Sequence, residues 1–170
     1  MPTTSDAIVV AAIAGSGGAS AAVDLWTRRV PNPLTLGIAA LGVTLAATHM
    51  SGVSVTSSVA GFALGLMLML PGHVIGATGA GDVKLFAAVG TLLGPPRTGT
   101  AFLYTAIAGG VLAMMIAVQR RRLCETVGRT ATLIRTGGAN VTEIENASVD
   151  NRFAYAPAIA IGALAAALGF

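Results

Sequence analysis

What most constrains this chain is a succession of long apolar blocks that leaves little polar surface to meet water. Six can be drawn, roughly Ala7 to Val23, Leu34 to Thr48, Val53 to Leu70, Val83 to Leu93, Thr100 to Val118 and Phe153 to Phe170. A helix that crosses a bilayer needs about 20 apolar residues, within a range of about 17 to 25. The third, fifth and sixth blocks reach that length, and the first reaches it with many Gly, Ala and Ser residues. The second is short and the fourth is the shortest. Of the 170 residues, 54% are hydrophobic and 10% are charged, whereas a soluble domain averages about 25% charged. A soluble globular domain is therefore a poor fit, and the expectation is a single all-α membrane domain over residues 1–170.

Charge distribution sets the topology. The net charge of +3 could suggest a nucleic-acid partner, but no RNA- or DNA-binding motif accompanies it. The Lys and Arg residues stand instead at block ends or in one polar loop, where orientation signals belong. With six spans and the N-terminus outside, Arg28, Arg29, Lys84, Arg120, Arg121, Arg122, Arg129, Arg135 and Arg152 face the cytoplasm, and only Arg97 lies outside. If the fourth block did not cross, the Arg120 to Arg122 cluster and the arginines after it would move outside. Six spans is the better account. Met1 to Asp6 lacks the positive start of a cleavable signal, so the first block reads as a retained span.

The fourth block's shortness points to the preceding Gly76 to Asp82 stretch, expected to enter the protein at membrane depth. Irregular backbone survives there only when enclosed by protein or lining a watery cavity. The glycines Gly15, Gly17 and Gly18 and the Gly61/Gly65 pair read as close helix packing in lipid. The polar region, about residues 119–152, is expected on the cytoplasmic side. Leu123, Val127, Thr130, Ala131 and Ile134 share one helical face of it, which suits either an amphipathic helix on an anionic leaflet or a solvated connector. Its Asn140 and Asn146 glycosylation sequons are chance matches in that compartment. The single cysteine, Cys124, can form no internal disulfide and no cysteine-tetrad zinc site.

Of the seven acidic residues, Asp6, Glu125, Glu143, Glu145 and Asp150 lie near the terminus or in the polar loop. Asp24 and Asp82 differ, because each adjoins an apolar block and a cluster of turn-forming residues at the cytoplasmic edge. A carboxylate at the centre of a spanning helix costs roughly 2.5–3.5 kcal/mol, and less at its edge. Such residues are usually kept for a function or a pairing. Two carboxylates at one site cannot both ionise cheaply, so a shared proton leaves one as base and the other as acid. That pair can draw a proton from water and polarise a peptide carbonyl with neither metal nor cofactor. The competing account has Asp24 balanced by Arg28 four positions on and Asp82 capping the next helix.

Asp24-Leu-Trp-Thr-Arg-Arg-Val-Pro-Asn-Pro-Leu-Thr35 and Gly79-Ala-Gly-Asp-Val-Lys-Leu85 together resemble the bacterial type IV prepilin peptidases, aspartyl proteases of the inner membrane. The first matches the family's Asp, then Arg, then aliphatic-Pro-Asn-x-Leu-Thr segment. The second matches its Gly-x-Gly-Asp motif with a following Lys, and Phe153 to Gly162 is similar to its last span. The resemblance implies cleavage of the leader from type IV pilin-like precursors at the cytoplasmic face, with Asp24 and Asp82 as the catalytic pair. It makes Gly79 and Gly81 the backbone positions that bring the second aspartate to the first. Longer members carry a cysteine tetrad in an N-terminal insert and also methylate the processed pilin. This chain has no such tetrad and looks like the short, peptidase-only form associated with Flp or Tad pili.

Arg28, Arg29 and Lys84 either attract an acidic substrate segment or anchor the topology, and Pro31 and Asn32 shape the turn into the second span. His49 and His73 lack ligand spacing, so no metal is expected. Gly76 to Lys84 fails as a phosphate-binding loop, because Lys does not directly follow the last Gly. Two further functions fit paired aspartates. One is a non-enzymatic transporter or secretion-system assembly protein that couples ions. The other is a presenilin-like protease cutting within spans, which would carry Tyr before its first aspartate where this chain has Val23.

Overall fold

The structure, a computed structural model, describes residues 4–27, 29–76, 78–119 and 155–170. The polar loop therefore lies outside the described residues, as do its suggested amphipathic face, its sequons and Cys124. Five helices account for nearly all of what is described: α1 Thr4–Thr27, α2 Asn32–Ala47, α3 Val55–Val74, α4 Ala80–Gln119 and α5 Ala156–Leu168. Among the described residues there is no strand. By length and apolar composition, Thr4–Thr27, Val55–Val74 and Ala80–Ile116 can each cross a membrane, while α2 and α5 are shorter apolar helices.

Local sequence sets the helix ends. Pro31 precedes α2 in an extended conformation and Pro33 lies in its first turn, where a fixed φ and a missing N–H cost nothing. The Ser54 hydroxyl accepts the Ser57 N–H at 3.1 Å and caps α3. Gly169, at φ 82°, ends α5 in the left-handed conformation that glycine tolerates best.

Helix α4 is not one straight rod. Gly94, at φ 69° and ψ 171°, breaks it between residues 80–93 and 95–119. The rings of Phe86 and Phe102 lie 6.1 Å apart, edge to face, whereas sixteen residues of continuous helix would separate them by about 24 Å. The two arms therefore fold back on each other as a hairpin. The fourth and fifth apolar blocks are these two arms. The turn between them needs only Gly94, because Pro95 and Pro96 already sit in the first turn of the second arm, where proline is tolerated.

The first arm of α4 is the centre of the bundle. Residues 85–94 are all buried, and α4 packs against α3, α5 and α2, while α1 packs mainly on α5. The shortest apolar block is thus the most enclosed one, a helix that is hydrophobic all round because protein surrounds it. Contact with α3 runs through backbone: a side chain on Gly61 or Gly90 would strike the other's carbonyl. The Ser58 hydroxyl, fully buried, donates to the Thr91 carbonyl at 2.8 Å across the same seam. Not every glycine packs this way, since Gly15 and Gly18 face open space.

The outside of the bundle is apolar. Leu36, Val59, Met67, Leu103, Ile107 and Met114 are all more than half exposed, a surface suited to lipid and not to water. Ser16 and Ser20, on a spanning helix, donate to the carbonyls four residues back, at 2.6 and 2.7 Å. The chain is a helical membrane protein.

Candidate functional site

The site lies at one end of the bundle. Asp24 is in the last turns of α1, and Asp82 is in the first turn of α4. Asp6, at the start of α1, pairs with Arg97 at 3.0 Å. It lies about 27 Å from Asp24 along the helix, so the ion pair marks the opposite end. Sequence reasoning gave Asp6 no role; its staple between α1 and the second arm of α4 appears only in three dimensions.

Asp24 is 5% exposed. Its Oδ2 accepts the backbone N–H of Ala156 at 3.1 Å, across 132 residues of sequence. Ala156 opens α5, whose first-turn N–H groups lack partners within the helix and whose dipole favours negative charge at that end. Tyr155, the residue before it, offers no side-chain cap, so the carboxylate of α1 caps α5 from another part of the chain. The competing account of Asp24 invoked Arg28, which lies outside the described residues.

Asp82 is half-buried. Its Oδ2 accepts the Gly79 N–H at 3.2 Å, the backward-reaching half of a capping box. Asp82 does cap its own helix, as the alternative account held. It also lies within electrostatic reach of Asp24, so the capping and pairing accounts are not exclusive.

The turns that carry the two aspartates interlock. A side chain on Gly81 would lie 3.3 Å from Cβ of Val30, so the segment ahead of Pro31 rests against the Gly-x-Gly-Asp turn. Lys84 donates from Nζ to Oδ1 of Asn32 at 3.0 Å, joining the first turns of α4 and α2. The Pro31 carbonyl accepts the N–H groups of Leu34 and Thr35 at 3.1 and 3.3 Å, a capping role in keeping with the turn-shaping expected of it. Arg29 is exposed, and its carbonyl accepts the Thr27 hydroxyl at 2.8 Å. On the α3–α4 connection, His73 Nδ1 donates to the Thr78 carbonyl at 3.0 Å. Among the described residues no group of three or more His, Cys, Asp or Glu side chains could hold a metal ion.

Sequence reasoning missed Tyr155. It lies within electrostatic reach of Asp82, and its ring fills the space that a side chain on Gly109 would take. The only signal was the aromatic-small-Pro opening of the last apolar block, to which no site role was given.

Two carboxylic groups within electrostatic reach of each other are the kind of pair that can divide the roles of acid and base. The model of the type IV leader peptidase family matches residues 11–114 of the chain. That span contains both aspartates, their flanking motifs, the first arm of α4 and most of the second, and stops short of α5. No curated protein matches, and no solved structure does. More than half of the sequence thus follows the family's pattern, and the chain belongs to the type IV leader peptidase family.

Proposed function

We propose that this chain is an aspartyl endopeptidase that removes the leader of type IV, Flp-type prepilins, with Asp24 and Asp82 as its catalytic pair. The observation that supports this reading is that a carboxylate from the end of α1 and one from the start of α4 stand at the same end of the bundle, within electrostatic reach of each other. In hydrolysis, one carboxylate takes a proton from water as the oxygen adds to the peptide carbonyl carbon. The protonated partner gives its proton to the carbonyl oxygen. A proton then passes to the amide nitrogen, the C–N bond breaks, and the carboxyl and amine products leave.

The expected setting is a bacterial inner membrane, with the aspartate end facing the cytoplasm and the Asp6–Arg97 end outside. Arg29 and Lys84 stand at the aspartate end, which the positive-inside rule assigns to the cytoplasm. The proposed topology has six spans, the two arms of α4 being counted separately and the shorter α2 and α5 included. The chain's single cysteine offers no tetrad, so the proposed activity is peptidase alone, without pilin methylation.

Co-expression with a small Flp-type prepilin, followed by N-terminal sequencing of the accumulated product, tests the reading. A single new N-terminus, appearing only when this chain is present, is the expected result. Full-length prepilin beside correctly inserted chain would overturn it.

A further inference from the structure

One peptide group ahead of Asp82 is held from both sides. Its N–H belongs to Gly79 and donates to Oδ2 of Asp82 at 3.2 Å. Its carbonyl belongs to Thr78 and faces Nδ1 of His73 at 3.0 Å. A carbonyl oxygen only accepts, so Nδ1 carries the proton at this contact. His73, the Thr78–Gly79 peptide and Asp82 thus form a chain of two hydrogen bonds, running from the last turn of α3 to the first turn of α4.

The backbone around it brings Thr78 back to α3. The Gly76 N–H donates to the His73 carbonyl at 3.0 Å, and the Thr78 N–H to the Gly72 carbonyl at 3.1 Å. Gly76, at φ 73°, ends the helix in the left-handed conformation that glycine tolerates best. A side chain on Gly72 would lie 3.2 Å from Oγ1 of Thr78 and 3.3 Å from its Cγ2, so glycine there lets the two segments lie close.

These contacts place the peptide, and the imidazole sets its tilt. Because a peptide group is planar, fixing the direction of its carbonyl fixes that of the N–H on the far side. A hydrogen bond accepted by the carbonyl also polarises the group and strengthens the bond its N–H gives. With Oδ2 held in this way, the carboxylate of Asp82 does not turn freely about Cβ–Cγ, and the direction of Oδ1 is set with it. We propose that His73 is a positioning residue of the site, its imidazole holding the Thr78–Gly79 peptide in the orientation that aims the carboxylate of Asp82. This role rests on reading Asp82 as one of the catalytic pair. His73 acts through the peptide and is not itself placed on the reacting bond.

The alternative is that the imidazole only closes the end of α3. His73→Ala removes the donor, whereas His73→Asn supplies another, its side-chain amide nitrogen reaching the place of Nδ1. The full chain is assayed in phospholipid vesicles with a small Flp-type prepilin as substrate, and rates are taken per inserted chain. His73→Ala lowers kcat about fivefold, the effect of one hydrogen bond of ordinary strength, and leaves KM unchanged. His73→Asn recovers most of the lost rate. Wild-type kcat in His73→Ala overturns the proposal, whatever its melting temperature, because a purely structural role would cost stability alone. A loss in His73→Asn equal to that in His73→Ala overturns it as well. Asp82→Asn runs alongside. If it is inactive while His73→Ala is unimpaired, the positioning role fails and the catalytic reading of Asp82 stands. If Asp82→Asn cleaves normally, that reading fails and the role of His73 fails with it.

Discussion

The ammonium of Lys84 donates to the side-chain oxygen of Asn32 at 3.0 Å, across 52 residues of sequence. This contact joins the two motifs of the chain, since Asn32 follows the Asp24 segment and Lys84 follows Asp82. Residues two apart on a helix do not face each other, so Lys84 turns away from the carboxylate of Asp82 and toward α2. Lys84 thereby holds the two turns together.

Removing either partner should loosen that register. Asn32→Ala and Lys84→Met are each expected to reduce leader cleavage several-fold, and the double variant no further, because both break one contact. Both side chains are exposed, so global stability should change by less than about 1 kcal/mol. Cleavage rates and detergent melting curves of the three variants check this. Losses that multiply in the double variant would mean that the residues act separately.

The glycines of the bundle divide into two groups with opposite responses to substitution. Gly61→Ala places a methyl group against the Gly90 carbonyl, and forced overpacking of this kind costs about 1–3 kcal/mol. Gly18→Ala meets nothing within 4 Å and removes a poor helix former, a gain of up to about 1 kcal/mol. Thermal unfolding in detergent should move down for the first and stay level or rise for the second.

Gly94 holds the α4 hairpin at φ 69°. Gly94→Ala puts a β-carbon on a backbone of positive φ and extended ψ, a conformation essentially reserved for glycine, at a cost of about 1–3 kcal/mol. It is expected to lower the melting temperature and, by disturbing the arm that carries Asp82, to lower cleavage as well. Gly99→Ala, at a helical glycine with open space around it, is the comparison that should leave both unchanged.

Much of this fold is legible in the sequence because lipid leaves the backbone few options. A run such as Val53 to Leu70 must close its own hydrogen bonds, and it does so as α3. Asp24 and Asp82 are legible for the same reason, as charges standing where apolar residues are cheaper. Other features depend on contacts that no local pattern encodes. The Gly94 break looks like a loop in sequence, because Pro95 and Pro96 conceal how soon the second arm begins. Asp6 reads as a terminal residue until Arg97 is beside it. Tyr155 reads as one more aromatic at a span boundary until its ring is found in the space left by Gly109.

Topology can be checked with single cysteines in a Cys124→Ser background. Arg29→Cys should react with a membrane-impermeant maleimide only from the cytoplasmic side, and His49→Cys, in the exposed turn after α2, only from outside. Labelling of both from one side would contradict the orientation proposed for the site.

The central claim is that Asp24 and Asp82 work as one unit. Leader-cleavage rates of Asp24→Asn, Asp82→Asn and the double variant, each confirmed as inserted, test it most directly. Residues that act together show grossly non-additive losses, so all three variants should fall to the same background rate. A single variant that keeps substantial cleavage, or a double variant whose loss is the product of two partial ones, would contradict the account.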